Sequence, residues 1–221
     1  MCAKRERATG HGKCRFGMPD RVTSHFETGW RLFKSHASIF VVSMLLIFLS
    51  WVVLEIAVIF LQRLGLTVWL VLHLGWLFLF SGMLVGLHVM ALKSVDGEIP
   101  RVGDLFGLLE RGPAYVLALG IYYLAMSGGL VLLIVPGIYL AIRYCLFAQV
   151  ITDTSASALA ALRKAAALAH GNWAPLGALF LIAFLLSLAG MALLGIGLII
   201  SFPVSLLAIA GFYRSLQPAT V

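Results

Sequence analysis

The chain has 221 residues, of which 62% are hydrophobic and only 11% charged, with a mean hydropathy of +1.03. Soluble domains usually carry about a quarter charged residues, so this balance excludes an ordinary water-soluble globule and points to lipid. The net charge of +7 does not imply nucleic acid, because the basic residues flank apolar runs instead of sharing a polar domain with aromatics.

Residues 1–22 are basic and are expected to form a disordered cytoplasmic tail, with one transmembrane helical domain over 23–215. No short apolar core in the first 35 residues ends at a small-residue cleavage site, so no signal peptide is expected. Cys2, Cys14 and Cys145 read as free thiols, because neither their spacing nor the nearby His11 completes a metal site. No cofactor or metal is expected.

At Ser24 and Glu27 the spacing is that of a capping box, and Phe26, Trp30 and Phe33 then recur on one face opposite Arg31 and Lys34. This predicts a short amphipathic helix lying on the cytoplasmic membrane surface. A spanning helix needs about 20 apolar residues. Ser38 to Leu61 and Thr67 to Leu92 meet that need, joined by a turn containing Gln62, Arg63 and Gly65. A second amphipathic stretch, Asp104 to Arg111, precedes an apolar run from Gly112 to Thr152, which at 41 residues suits two helices and a tight turn. That turn falls between Gly128-Gly129 and Pro136-Gly137, and Pro136 either opens the fourth span or kinks it. The third amphipathic stretch, Ser155 to His170, leads through Gly171-Asn172 into Ala174 to Tyr213, a hairpin turning near Gly195 and Gly197 with Pro203 in its second helix.

The expected fold is therefore all-α and polytopic, with about six transmembrane helices in three hairpins, each preceded by a short cytoplasmic interfacial helix. The recurrence of this arrangement, and the echo of Pro136-x-x-x-Leu140-Ala141-Ile142 in Pro203-x-x-x-Leu207-Ala208-Ile209, suggests a three-unit repeat. Fourteen of the 16 Lys and Arg residues fall on one side if the N-terminus is inside, against Arg63 alone on the other. By the positive-inside rule both ends are cytoplasmic.

Three short motifs in order carry a family resemblance: Gly29-Trp30-Arg31-Leu32-Phe33-Lys34, then Pro136-Gly137-Ile138-Tyr139 through Arg143-Tyr144, then Asp153 followed by Ala161-Leu162-Arg163-Lys164 and Gly171-Asn172-Trp173. Over roughly residues 25 to 215 the chain resembles a group of bacterial six-helix inner-membrane proteins, and it is similar to the membrane domain attached to some glycerophosphodiester phosphodiesterases. The resemblance implies this fold and the bacterial inner membrane. It implies no reaction, since the soluble phosphodiesterase domain is absent from the sequence.

Ionisable groups inside spans normally face protein and find partners. Glu55, His73 and Arg143 are the candidates, each about 10 Å below the outer face if Pro136 opens its helix. A structural reading pairs Glu55 with Arg143; a functional one makes the three a proton or anion site with His73 titrating. His73 and His88 lie roughly 22 Å apart along one helix and cannot share a metal. Gly82-x-x-x-Gly86 permits a close backbone approach, within the monomer or in a dimer. Asp153 reads as a helix cap or a partner for Arg163 or Lys164, and Asp96-Gly97-Glu98 as a solvated turn.

No catalytic motif is present: neither a phosphate-binding loop, nor a nucleophile elbow, nor His-Glu-x-x-His. The chain is thus expected to be a non-enzymatic scaffold or a partner- or lipid-binding membrane protein. Membrane lipids, and other membrane or cytoplasmic proteins, are the expected partners. The alternative is a small transporter or channel using Glu55, His73 and Arg143. The oligomeric state is left open.

Overall fold

The computed structural model describes residues 18–61, 65–107, 109–132, 134–154, 156–192 and 197–217. Cys2, His11, Cys14, Gln62, Arg63, Ser155 and Gly195 lie outside them. Among the described residues nine α-helices run in order: α1 (Met18–Ser35), α2 (Ala37–Leu61), α3 (Leu66–Val95), α4 (Gly112–Leu132), α5 (Ile134–Tyr144), α6 (Phe147–Thr154), α7 (Ala158–Ala169), α8 (Trp173–Ala192) and α9 (Leu198–Leu216). No strand occurs among the described residues.

Among the described residues, five segments are long and apolar enough to cross a membrane: α2, α3, α5 with α6, α8 and α9. Their outward faces carry Phe48, Val53, Ile59, Phe60, Val71, Leu74, Leu181 and Phe184, all largely exposed. A monomer in water rarely presents so continuous an apolar surface, and hydrocarbon is the medium that removes its cost. The chain is an all-helical multi-pass membrane protein. The third expected span falls on α4, which is 21 residues long and is not among these five.

The fourth expected span is broken. α5 ends at Tyr144, Cys145 and Leu146 form a turn, and α6 resumes at Phe147. Across the break the Cys145 N–H reaches only the Ile142 carbonyl, at 3.5 Å, and Tyr122 Oη lies 3.4 Å from the Ala141 carbonyl. Pro136 sits in the first turn of α5, where a missing N–H costs no intrahelical bond. Gly128 and Gly129 are inside α4, and a methyl on Gly129 would fall 2.8 Å from Gly137 Cα, so the two helices cross here almost backbone to backbone. Pro203 is buried inside α9.

Helices α3, α6 and α9 form the interior. From Ser81 to Ser94 in α3, through nearly all of α6, and from Ser201 to Tyr213 in α9, most side chains are buried. The connecting segments pack against these three helices in a cycle: α1 on α9, the stretch 102–111 on α3, and α7 on α5 and α6. Each contact exploits small residues. In α7 the alanines Ala158, Ala161, Ala165 and Ala169 make the buried face.

The amphipathic stretches differ from expectation in form. α1 begins at Met18, so Ser24 and Glu27 lie inside the helix and not at its cap. It does not lie on lipid alone: Val22, Gly29 and Phe33 are buried, and a methyl on Gly29 would come 3.1 Å from the Val204 carbonyl and the Ala208 nitrogen of α9. The second stretch is two 3-10 turns, Val102–Leu105 and Leu109–Arg111, too short to have two faces. The first is held by Asp104, whose carboxylate accepts from the Arg101 N–H at 2.9 Å.

Gly82 and Gly86 serve packing within the chain. A methyl on Gly86 would stand 2.5 Å from Leu105 Cα, and one on Gly112 would stand 2.7 Å from Ser81 Oγ and 3.3 Å from the Gly82 nitrogen. The glycine spacing on α3 thus receives the connector that leads into α4. Gly86→Ala is expected to destabilise the protein by about 1–3 kcal/mol, because the clash is with backbone and cannot be relieved by a side-chain rotation. Gly75→Ala, which meets nothing within 4 Å, should be neutral or slightly stabilising in the same helix. Thermal unfolding of both variants in one detergent compares them directly.

Candidate functional site

The strongest polar contacts join the ends of the three inner helices. Asp96 caps α3, Asp153 stands at the end of α6, and Arg214 lies in the last turn of α9. Arg214 Nη2 donates to Asp96 at 2.6 Å, and Nη1 donates to Asp153 at 2.9 Å. Asp153 also accepts from the Tyr213 hydroxyl at 2.9 Å and from the Gln217 amide at 2.8 Å. One guanidinium shared between two carboxylates balances charge across three helices, and its planar fork suits two acceptors at once.

Two sequence expectations are corrected by this arrangement. Asp96 is an ion-pair partner and not only part of a solvated turn, and Asp153 pairs with Arg214 instead of Arg163 or Lys164. Two further contacts extend the clasp. Arg111 Nη1 donates to the Thr152 carbonyl at 2.6 Å, satisfying an acceptor that the end of α6 leaves unpaired. Lys93 pairs with Asp104 at 2.8 Å. Burial acts to raise the Asp104 carboxyl, but the Lys93 ammonium and the Arg101 N–H together hold it below its ordinary value.

Glu55, His73 and Arg143 are not joined by any ion pair or hydrogen bond among the described residues. His73 Nδ1 is 2.9 Å from the Trp69 carbonyl of its own helix, and its ring lies over Trp69 at 4.1 Å. Arg143 Nη1 donates to the Tyr139 hydroxyl at 2.9 Å, and its guanidinium lies near the Tyr139 and Tyr144 rings. The predicted pairing fails because α2 packs on α3 and α9, whereas α5 faces α4, α7 and α8. His88 is buried, with Nδ1 at 2.8 Å from the Leu84 carbonyl and its ring against Tyr115.

Arg143 turns instead into a cleft of about 680 Å³ between α4, α5 and α7. Arg163 and His170 of the α7 segment line the same space, with Tyr122 and Leu162 buried at its floor and Tyr144 beside them. No aspartate or glutamate lines it. Tyr139, which accepts from Arg143, stacks on Trp173, the first residue of α8, at 4.3 Å. The cleft can hold an anion but offers no paired base and nucleophile, and no group of three His, Cys, Asp or Glu side chains able to hold a metal occurs among the described residues.

No family model, curated protein or solved structure matches the chain. Both groupings escaped the sequence reading, although each left a trace. Asp96, Asp153 and Arg214 all stand just past long apolar runs, where charge also serves topology, and Arg163 carries the same ambiguity.

Removing the clasp should show coupling. Arg214→Gln is expected to cost about 2 kcal/mol, and a double-mutant cycle with Asp153→Asn should return a coupling of about 1 kcal/mol or more, measured by chemical or thermal unfolding in detergent. Strict additivity would mean that the contact contributes nothing. For Asp104 the folded-state carboxyl titrates below its ordinary 3.8, so its contribution is complete above that value and is lost as pH falls through the lower one. Asp104→Asn should therefore be less stable than the parent at neutral pH, and the gap should close in acid.

Proposed function

We propose that the chain is a six-span protein of the bacterial inner membrane, with both termini cytoplasmic, that works as a non-enzymatic scaffold binding lipids or partner proteins. The observation that carries this reading is the clasp, in which Arg214 ties the ends of α3, α6 and α9 through Asp96 and Asp153. Contacts of this kind fix the bundle in one arrangement, which suits a platform and opposes rocking of one helix pair against another. The distribution of basic residues supports the orientation, since the clasp residues and α7 all lie on the side that the positive-inside rule assigns to the cytoplasm. In this reading α4 is the sixth span and pairs with the broken α5–α6 segment as the middle hairpin.

One observation favours a transporter as the second reading. The break at Cys145–Leu146 interrupts a span, and Gln149 Oε1, Ser201 Oγ and Ser205 Oγ on α6 and α9 are buried without a hydrogen-bond partner. Interrupted helices with nearby polar groups are how many transporters build a substrate site. Flux separates the two readings. Proteoliposomes containing the purified chain are expected to show no more proton or solute movement than empty vesicles under an imposed pH gradient, and reproducible flux abolished by Gln149→Leu would replace the scaffold with the transporter. Reporter fusions test the topology: a fluorescent protein on either terminus should fluoresce in the cytoplasm, and a periplasmic signal from the N-terminus would reverse the orientation.

A further inference from the structure

The cleft between α4, α5 and α7 combines two properties that one class of ligand shares. Its charged members are cationic: Arg143 and Arg163 have no carboxylate partner among the described residues, and the lining contributes no acid to neutralise them. Its remaining wall is largely apolar, formed by Ile121, Ala125, Leu159 and Leu162 beside the arginines, with Leu159 exposed. Two like charges lining one cleft repel, and an anion placed between them relieves that repulsion. A free inorganic anion would satisfy the arginines and gain nothing from the apolar wall.

We propose that this cleft binds an anionic phospholipid, its phosphodiester held between Arg143 and Arg163 and the start of an acyl chain laid against Ile121 and Leu162. The inference rests on the lipid-binding reading above and names its ligand. Guanidinium is suited to phosphate because its fork meets two oxygens in one plane. The Arg143 guanidinium is already oriented by its bond to the Tyr139 hydroxyl, so little rotamer freedom is lost on binding. Tyr139, bonded to Arg143 and stacked on Trp173, puts next to the arginine the type of amphipathic aromatic that favours headgroup level. A volume of about 680 Å³ is within the range of small-molecule pockets and accommodates a headgroup with part of a chain.

The test uses the full chain purified in a neutral detergent and exposed to equal amounts of phosphatidylglycerol and phosphatidylcholine with identical acyl chains, with retained lipid read by native mass spectrometry. About tenfold preference for phosphatidylglycerol is expected, the ratio set by one charge-assisted contact. R143Q/R163Q should bring retention down to the phosphatidylcholine level. K164Q, which removes the neighbouring charge outside the cleft, should leave the preference intact. Equal retention of both lipids by the parent chain, or an unchanged preference in R143Q/R163Q, overturns the proposal. So does full displacement by millimolar inorganic phosphate, which would assign the site to a free anion. If the double variant does not fold, R163Q alone, at an exposed position of α7, must lower the preference or the proposal fails. Flux measured on the same preparation keeps the two inferences apart: transport with lipid preference intact removes the scaffold, and absent preference with no transport removes only the lipid site.

Discussion

Arg214 must be charged, and its charge must be matched, before the inner helices can meet at their ends. Its side chain is only 28% exposed and lies between Asp153, at 20%, and the exposed Asp96. Within this setting each ion depends on the others, since removing one leaves its partner desolvated without compensation. Asp153 is the more heavily engaged acid, with Tyr213, Arg214 and Gln217 all donating to it. Helix packing in lipid has no hydrophobic drive of its own, so close fit and polar contacts decide which helices stay together. A charged clasp at the helix ends, where the bilayer gives way to headgroups and water, supplies that decision at a lower desolvation cost than the bilayer centre would impose.

Close backbone approach completes what the clasp begins. Gly29 against α9, Gly86 against Leu105, and Gly129 against Gly137 each mark a place where one methyl group would meet backbone. The three connecting segments are therefore part of the packed interior and not appendages on a lipid surface. Their order closes on itself, because the first segment in the chain packs on the last helix. In this order each connector docks on the inner helix that comes before it, α7 on α6 and the stretch 102–111 on α3.

Much of the fold could be read from the residues because hydropathy and length leave few options for segments such as Ser38–Leu61. Of the two roles open to Pro136, helix start is the one adopted, as its missing N–H favours. The break at Cys145–Leu146 was not legible, because neither residue is a glycine or proline and the cause is tertiary: α6 packs on α3 while α5 packs on α4. The clasp was not legible either, since its most distant members lie 118 residues apart and a terminal charge looks the same whether it faces water or an acid. The intramembrane triad was misjudged for a related reason. Counting residues from a span end gives depth but not rotation, and rotation turns Arg143 away from α2 toward α7.

That rotation also explains how the arginine is tolerated. A charge in the middle of an apolar run would cost roughly 2.5 to 3.5 kcal/mol on insertion scales if it faced lipid. Here Arg143 shares a cleft with Arg163 and His170, which belong to the segment between α6 and α8, and its neighbour Tyr139 is stacked on the first residue of α8. Its surroundings are those of a connecting segment, although its sequence neighbours are those of a span. The broken helix makes this possible: by ending α5 at Tyr144, the turn at Cys145 and Leu146 lets α5 lean toward α7 while α6 stays in the interior. The break and the arginine are thus two parts of one arrangement, in which the interrupted backbone lets α5 turn toward the cleft a guanidinium that has no carboxylate partner among the described residues.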